Sequence, residues 1–182
     1  NHMTTEWKAA YEAGIFTEFM EQRGPGHTVG SENIYKKGFL EHKKDIRDAL
    51  GKLDYMNDPE ALDKEAELKA MDIACDAIMI LAERYAEYAE CLASKCTDEK
   101  RKEELRQIAE NCRVVPSYKP ETYWQAIQMY WFVHLGVTSE LNPWDAYSPG
   151  RLDQHLICFY RKDVEEGILD DEKAKELLEC LW

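Results

Sequence analysis

Positive charge is in short supply: 23 Lys and Arg stand against 36 Asp and Glu, a formal net charge of −13 at pH 7. Such a field repels a phosphate backbone, so nucleic acid is not an expected partner. Long hydrophobic runs are also missing. No stretch approaches the ~20 apolar residues of a membrane-spanning helix, and no secretory pattern opens the chain, so a cytoplasmic protein without membrane contact is expected. The six cysteines form no C-x-x-C pair. Reduced, mostly buried thiols are therefore expected in place of zinc ligands or disulfides. A P-loop, a nucleophile elbow, zinc-ligand spacing and a dinucleotide fingerprint are all absent, as are repeats and low-complexity tracts.

What is present is helix. Asn1-His2-Met3 reads as a vector remnant, which leaves 4–182 as a single helical unit. Thr5 is placed to cap a first helix that Gly14 ends. Ile15–Met20 is apolar and ambiguous, and Arg23-Gly24-Pro25-Gly26-His27 is a turn-rich loop. Ser31 is placed to cap a second helix with Tyr35, Phe39, Ile46 and Leu50 facing inward. Asp58-Pro59 opens the longest helix, to about Lys95. Its Met71, Cys75, Ile78, Ala82, Tyr85, Ala89 and Leu92 alternate at spacings of four and three, a heptad seam best read as a packing edge within one protein. Thr97 is placed to cap a charged helix ending near Cys112, and Asp170 a final helix carrying Ala174, Leu177, Leu178, Leu181 and Trp182 on one stripe.

Between them, Pro120 starts a helix whose Trp124, Ile127, Tyr130, Trp131, Val133 and Leu135 surround it almost completely. A helix apolar all round belongs inside a larger body of protein. The apolar end of the chain points the same way. A section cut from a larger fold is the expectation.

Two clusters carry chemistry-bearing residues. Phe19–His27 sets an imidazole in a turn where glycines flank a proline. Asn142–His155, reading NPWDAYSPGRLDQH, gathers Asp145, Arg151, His155 and two aromatics at a loop-to-helix junction, with Ser148-Pro149 read as an N-cap and first helical residue. Local roles are the commoner ones for such residues: a turn histidine bonding its neighbours, an aspartate in an Asx-turn, an arginine and Asp153 anchoring a helix start. His134, inside the aromatic helix, reads as a satisfied core histidine. By residue type alone these clusters define no particular reaction.

Phe16–Val29 (FTEFMEQRGPGHTV), Lys119–Leu156 and Leu177–Trp182 resemble the glycyl radical enzymes of the pyruvate formate-lyase-like superfamily, in the dehydratase and decarboxylase branch. The resemblance is strongest to the group acting on trans-4-hydroxy-L-proline, and it runs from about Thr5 to Trp182. It implies a mainly α section of a much longer α/β barrel enzyme, truncated before most of the barrel strands. It also implies a lyase that eliminates water after thiyl-radical hydrogen abstraction. The radical glycine, and a cysteine followed two residues later by glutamate, are not in this sequence, so the chain alone is expected to be inactive and to bind no cofactor. The parent would depend on a glycyl radical installed by an S-adenosylmethionine and iron–sulfur activating enzyme, and is expected to be a homodimer. The resemblance puts Phe19, His27 and Asp145 in the substrate pocket, the carboxylate suiting a substrate ammonium. One departure is Gly24, where such enzymes tend to have alanine. The alternatives are another lyase of the family (acting on choline, glycerol or a diol, or formate acetyltransferase-like) or a helical interaction module.

Overall fold

The computed structural model describes residues 4–15, 29–140 and 148–182. Among these, seven α-helices and one 3-10 turn account for the regular structure, and the only β feature is an isolated bridge residue at Ser148. The helices are α1 (Thr5–Glu12), α2 (Phe39–Leu50), α3 (Ala61–Lys95), α4 (Glu99–Val114), α5 (Tyr123–Glu140), α6 (Leu152–Glu165) and α7 (Asp171–Leu181), with the 3-10 turn at Ser31–Tyr35.

The apolar helix α5 is the hub, touching α3, α4, α6, α7 and the 3-10 turn. One side joins Val29, Ile34, Tyr35, Leu156, Ala174 and Leu177 through Tyr123, Ala126, Ile127 and Tyr130. The opposite side sends Phe132 into a second cluster with Ala82, Ala86, Ala89, Ala109 and Cys112. Burial on two sides explains why its sequence lacks a polar face. Trp131 is the exception, 41% exposed.

Small residues let α3 lie close to α4. The buried stripe of α3 is Cys75, Ala82, Ala86, Ala89 and Ala93, whereas Met71, Tyr85 and Leu92 of the expected seam are exposed. The seam is thus half right: the alanines set the contact, and the larger residues lie off its axis. Lys43 ties α2 to α3, its Nζ standing 2.9 Å from Asp72 and 2.7 Å from Asp76. Both carboxylates hold its ammonium above the usual lysine range, Asp72 first. Of the cysteines, Cys75 and Cys112 are buried, Cys96 is half-buried and the other three are exposed; all six are free.

Several helix starts differ from expectation for local reasons. Thr4, not Thr5, caps α1, its Oγ1 accepting the Trp7 N–H at 3.1 Å. Asp98, not Thr97, caps α4 by accepting the Arg101 N–H at 3.1 Å. In each case the adjacent residue alone presents an oxygen to the N3 amide. The single helix expected from Ser31 is two elements, broken at Lys36–Gly38. Gly38 abuts the chain at Ser117–Tyr118 so closely that a Cβ would lie 2.3 Å from the Ser117 carbonyl oxygen. The backbone of α2 starts there, Phe39 and Leu40 donating to the carbonyls of Pro116 and Ser117. Asp170 caps α7 as expected, accepting the Lys173 N–H at 2.7 Å.

Candidate functional site

Phe19, His27 and Asp145 all lie outside the described residues. What the structure describes is the frame from which their two segments leave. The Val29 N–H donates to the Ser148 carbonyl at 3.2 Å. Val29 stands two residues after His27 in sequence and Ser148 three after Asp145. One backbone hydrogen bond therefore joins a residue close in sequence to His27 with one close in sequence to Asp145.

Behind this junction lies a wall with a polar interior. The Ser31–Tyr35 turn buries Ile34 and Tyr35, and α6 brings His155, Leu156 and Phe159 against it. The Tyr35 ring centroid is 5.8 Å from that of His155 and 6.0 Å from that of Phe159. On α5, the Tyr130 hydroxyl and His134 Nδ1 are 3.2 Å apart, so His134 is the satisfied core histidine the sequence suggested. Burial lowers the His134 pKa, since a charged ring is poorly solvated there. Burial also pushes the Tyr35 hydroxyl well above the usual phenol range, with the nearby Tyr130 adding to it.

The junction itself is built otherwise than expected. Ser148 is not the N-cap of α6, which starts four residues later at Leu152 with Arg151 in the cap position. Gly150 intervenes at φ 71°, a left-handed turn that redirects the chain before the helix can begin. The Ser148 hydroxyl accepts the Gly150 N–H at 3.4 Å inside that turn. Arg151 is exposed, and its guanidinium reaches Gln154 at 3.4 Å. It anchors the helix start and is not brought to the wall.

Tyr35 gained importance only in the structure, and His155, unassigned from the sequence, gained a neighbour there. The buried hydroxyl of Tyr35 and the His155 Nδ1 both lack a hydrogen-bond partner. Tyr35 reads as core from its spacing, and nothing in a sequence signals that its hydroxyl is left unpaired. Among the described residues, no group of three or more His, Cys, Asp or Glu is placed to hold a metal ion. No helix there is long and apolar enough to cross a membrane. A groove of about 210 Å³ between α4, α5 and α7 is lined by Trp124, Trp131 and Leu181. Lys173 sits over the Trp124 ring at 4.8 Å. It lies on other elements than the junction.

The pyruvate formate lyase-like family model matches residues 1–182. Trans-4-hydroxy-L-proline dehydratase of Clostridioides difficile is 66% identical over 182 residues, which are 100% of this chain and 23% of that protein. Isethionate sulfite-lyase of Nitratidesulfovibrio vulgaris is 38% identical over 151 residues, 83% of this chain and 18% of that one. The crystal structure of hydroxyproline dehydratase from Clostridioides difficile with trans-4-hydroxy-L-proline bound superposes with a TM-score of 0.85 at 66% identity, again over 100% of this chain and 23% of that one. The chain thus spans about a quarter or less of the length of these relatives.

Proposed function

From the membership of this chain in the pyruvate formate lyase-like family of glycyl radical enzymes, we propose that it forms a helical section and one pocket wall of a dehydratase acting on trans-4-hydroxy-L-proline. The observation that carries this reading is the 66% identity to such a dehydratase along all 182 residues. The tie between Val29 and Ser148 supports it, because these two residues lie two positions after His27 and three after Asp145 in sequence.

Asp145 pairs with the ring ammonium of the substrate, an attraction strengthened wherever water is excluded. His27 donates to the departing hydroxyl, so that it leaves as water and not as hydroxide. Phe19 packs the face of the pyrrolidine ring. Held at both ends, the substrate presents a single carbon for attack, which lowers the entropic part of the barrier. The glycyl radical, borne by a part of the enzyme beyond this sequence and installed by a separate S-adenosylmethionine and iron–sulfur activating enzyme, would generate the thiyl radical that abstracts the hydrogen atom. The chain alone is inactive on this reading. The parent works without oxygen, in the cytoplasm and as a homodimer.

The test is anaerobic activation of the full-length protein carrying this segment, followed by assays with trans-4-hydroxy-L-proline, choline, glycerol and isethionate. Turnover of hydroxyproline well above the other three supports the reading. Preference for one of the others replaces it with a sister activity of the family.

A further inference from the structure

We propose that Gly30 and Ser31 form a strained bend that fixes the direction in which the chain runs back from Val29 toward His27, and that both are positioning residues for the reaction. Gly30 has φ 65° and Ser31 φ 51°. Two successive residues thus lie in the left-handed region, where a Cβ crowds the following carbonyl oxygen. Glycine escapes that cost and serine does not. Among the described residues, Ser31 is the only one other than glycine with a positive φ. Its own side chain does not hold it there, for no side-chain capping bond is made at the start of the 3-10 turn that Ser31 opens.

A strained residue persists only where the surrounding structure over-determines it. This bend is held from both sides. Before it, Val29 is 4% exposed and donates its N–H to the Ser148 carbonyl. After it, the buried Ile34 and Tyr35 fasten the turn, and the Gly30 carbonyl accepts the Asn33 N–H at 3.1 Å. The inner side of the bend has no room, since a Cβ on Gly30 would lie 2.3 Å from Ile34 Cγ2. A glycine at position 31 would fit the same φ without strain, but it would also open many other conformations to the bend. Serine keeps the bend stiff. That stiffness is felt by the residues that precede it, and His27 stands three positions before Gly30 in sequence.

This role rests on the reading in which His27 donates to the departing group, a contact made in the transition state. Loosening the bend therefore lowers kcat and leaves KM nearly alone. The test uses the activated full-length enzyme with whichever of trans-4-hydroxy-L-proline, choline, glycerol and isethionate it turns over fastest. Ser31→Gly is expected to lower kcat about fivefold or more while KM stays within about twofold. Its thermal midpoint is expected to be no lower than that of the unsubstituted enzyme, because the strain is relieved. Ser31→Asn keeps a side chain that tolerates the left-handed region, and is expected to hold kcat within about twofold. Gly30→Ala brings the clash with Ile34 and is expected to lower both kcat and the midpoint. Loss of stability cannot explain a fall in kcat that Ser31→Gly and Gly30→Ala share. A Ser31→Gly enzyme with unchanged kcat or a lower midpoint, or a Ser31→Asn enzyme no better than Ser31→Gly, overturns the proposal. If Gly30→Ala does not fold, the two Ser31 variants decide alone. Should the fastest substrate not be hydroxyproline, the dehydratase reading falls, while kcat in these variants still decides the role of the bend.

Discussion

Asp163 is 1% exposed, and one of its carboxylate oxygens accepts the backbone N–H of Tyr123 at 2.7 Å. That amide is among the first of α5, with no partner inside its own helix, so a residue on α6 caps α5 from 40 positions away in sequence. The carbonyl of Asp163 also accepts from Ile168 and Leu169, closing the turn into α7. Replacing the carboxylate should leave a buried amide unpaired at the hub of the fold. Asp163→Ala is expected to destabilise the chain by about 1–3 kcal/mol in a denaturant titration; a change within experimental error contradicts the capping role. Nothing in the local pattern RKDVEEG marks this aspartate as buried, because its partner is remote in sequence. His134 offers a pH-dependent counterpart. Its pKa is lowered from the ordinary 6.5 by burial, so the unfolded chain takes up a proton at a higher pH than the folded one. The stability it contributes is present above about 6.5 and lost as pH falls through the lower folded value. His134→Gln is expected to make the fall in stability below pH 6.5 shallower, measured by denaturant titrations on both proteins across that window. An identical slope for both contradicts it.

At the scale of elements, close approach is the recurring device. Ala82, Ala86, Ala89 and Ala109 let α3 and α4 come together around Cys112 and Phe132. Ala86 has no exposed surface, and a larger side chain there has nowhere to go. Ala86→Leu is expected to cost about 1–3 kcal/mol by overpacking, read as a lower denaturation midpoint with an unchanged slope. Unaltered stability refutes close packing at this contact. Most helices were legible from their punctuation: Asp58-Pro59, Pro120 and Asp170 mark starts at or near where they occur. The shifts from Thr5 to Thr4 and from Thr97 to Asp98 arise where two capping residues are adjacent and backbone direction selects one. The break at Gly38 was not legible, because it depends on a close contact with Ser117 and Tyr118, 79 and 80 residues away by number. Ser148 looked like a cap for a similar reason. Its hydroxyl instead takes the Gly150 N–H two residues on, and its carbonyl pairs with the distant Val29, which no local pattern reveals.

For the molecule as a whole, the hub helix and its two clusters explain why a strongly acidic chain carries one helix with no polar face. The family was legible in the sequence over its full length, and the match across 1–182 bears this out. The pocket residues named from that resemblance belong to the proposal and not to the described structure. What the structure adds is the frame: the hydrogen-bonded junction of Val29 and Ser148, with Tyr35, Tyr130 and His155 on the elements beside it. The central claim is that this frame presents a carboxylate to an ammonium-bearing substrate. Its most direct test is the kinetics of Asp145→Asn in the activated full-length enzyme with trans-4-hydroxy-L-proline. Loss of the charge from a desolvated pair is worth about 2–5 kcal/mol, so kcat/KM is expected to fall about thirtyfold or more. Turnover of hydroxyproline with kcat/KM unchanged in Asp145→Asn contradicts the account.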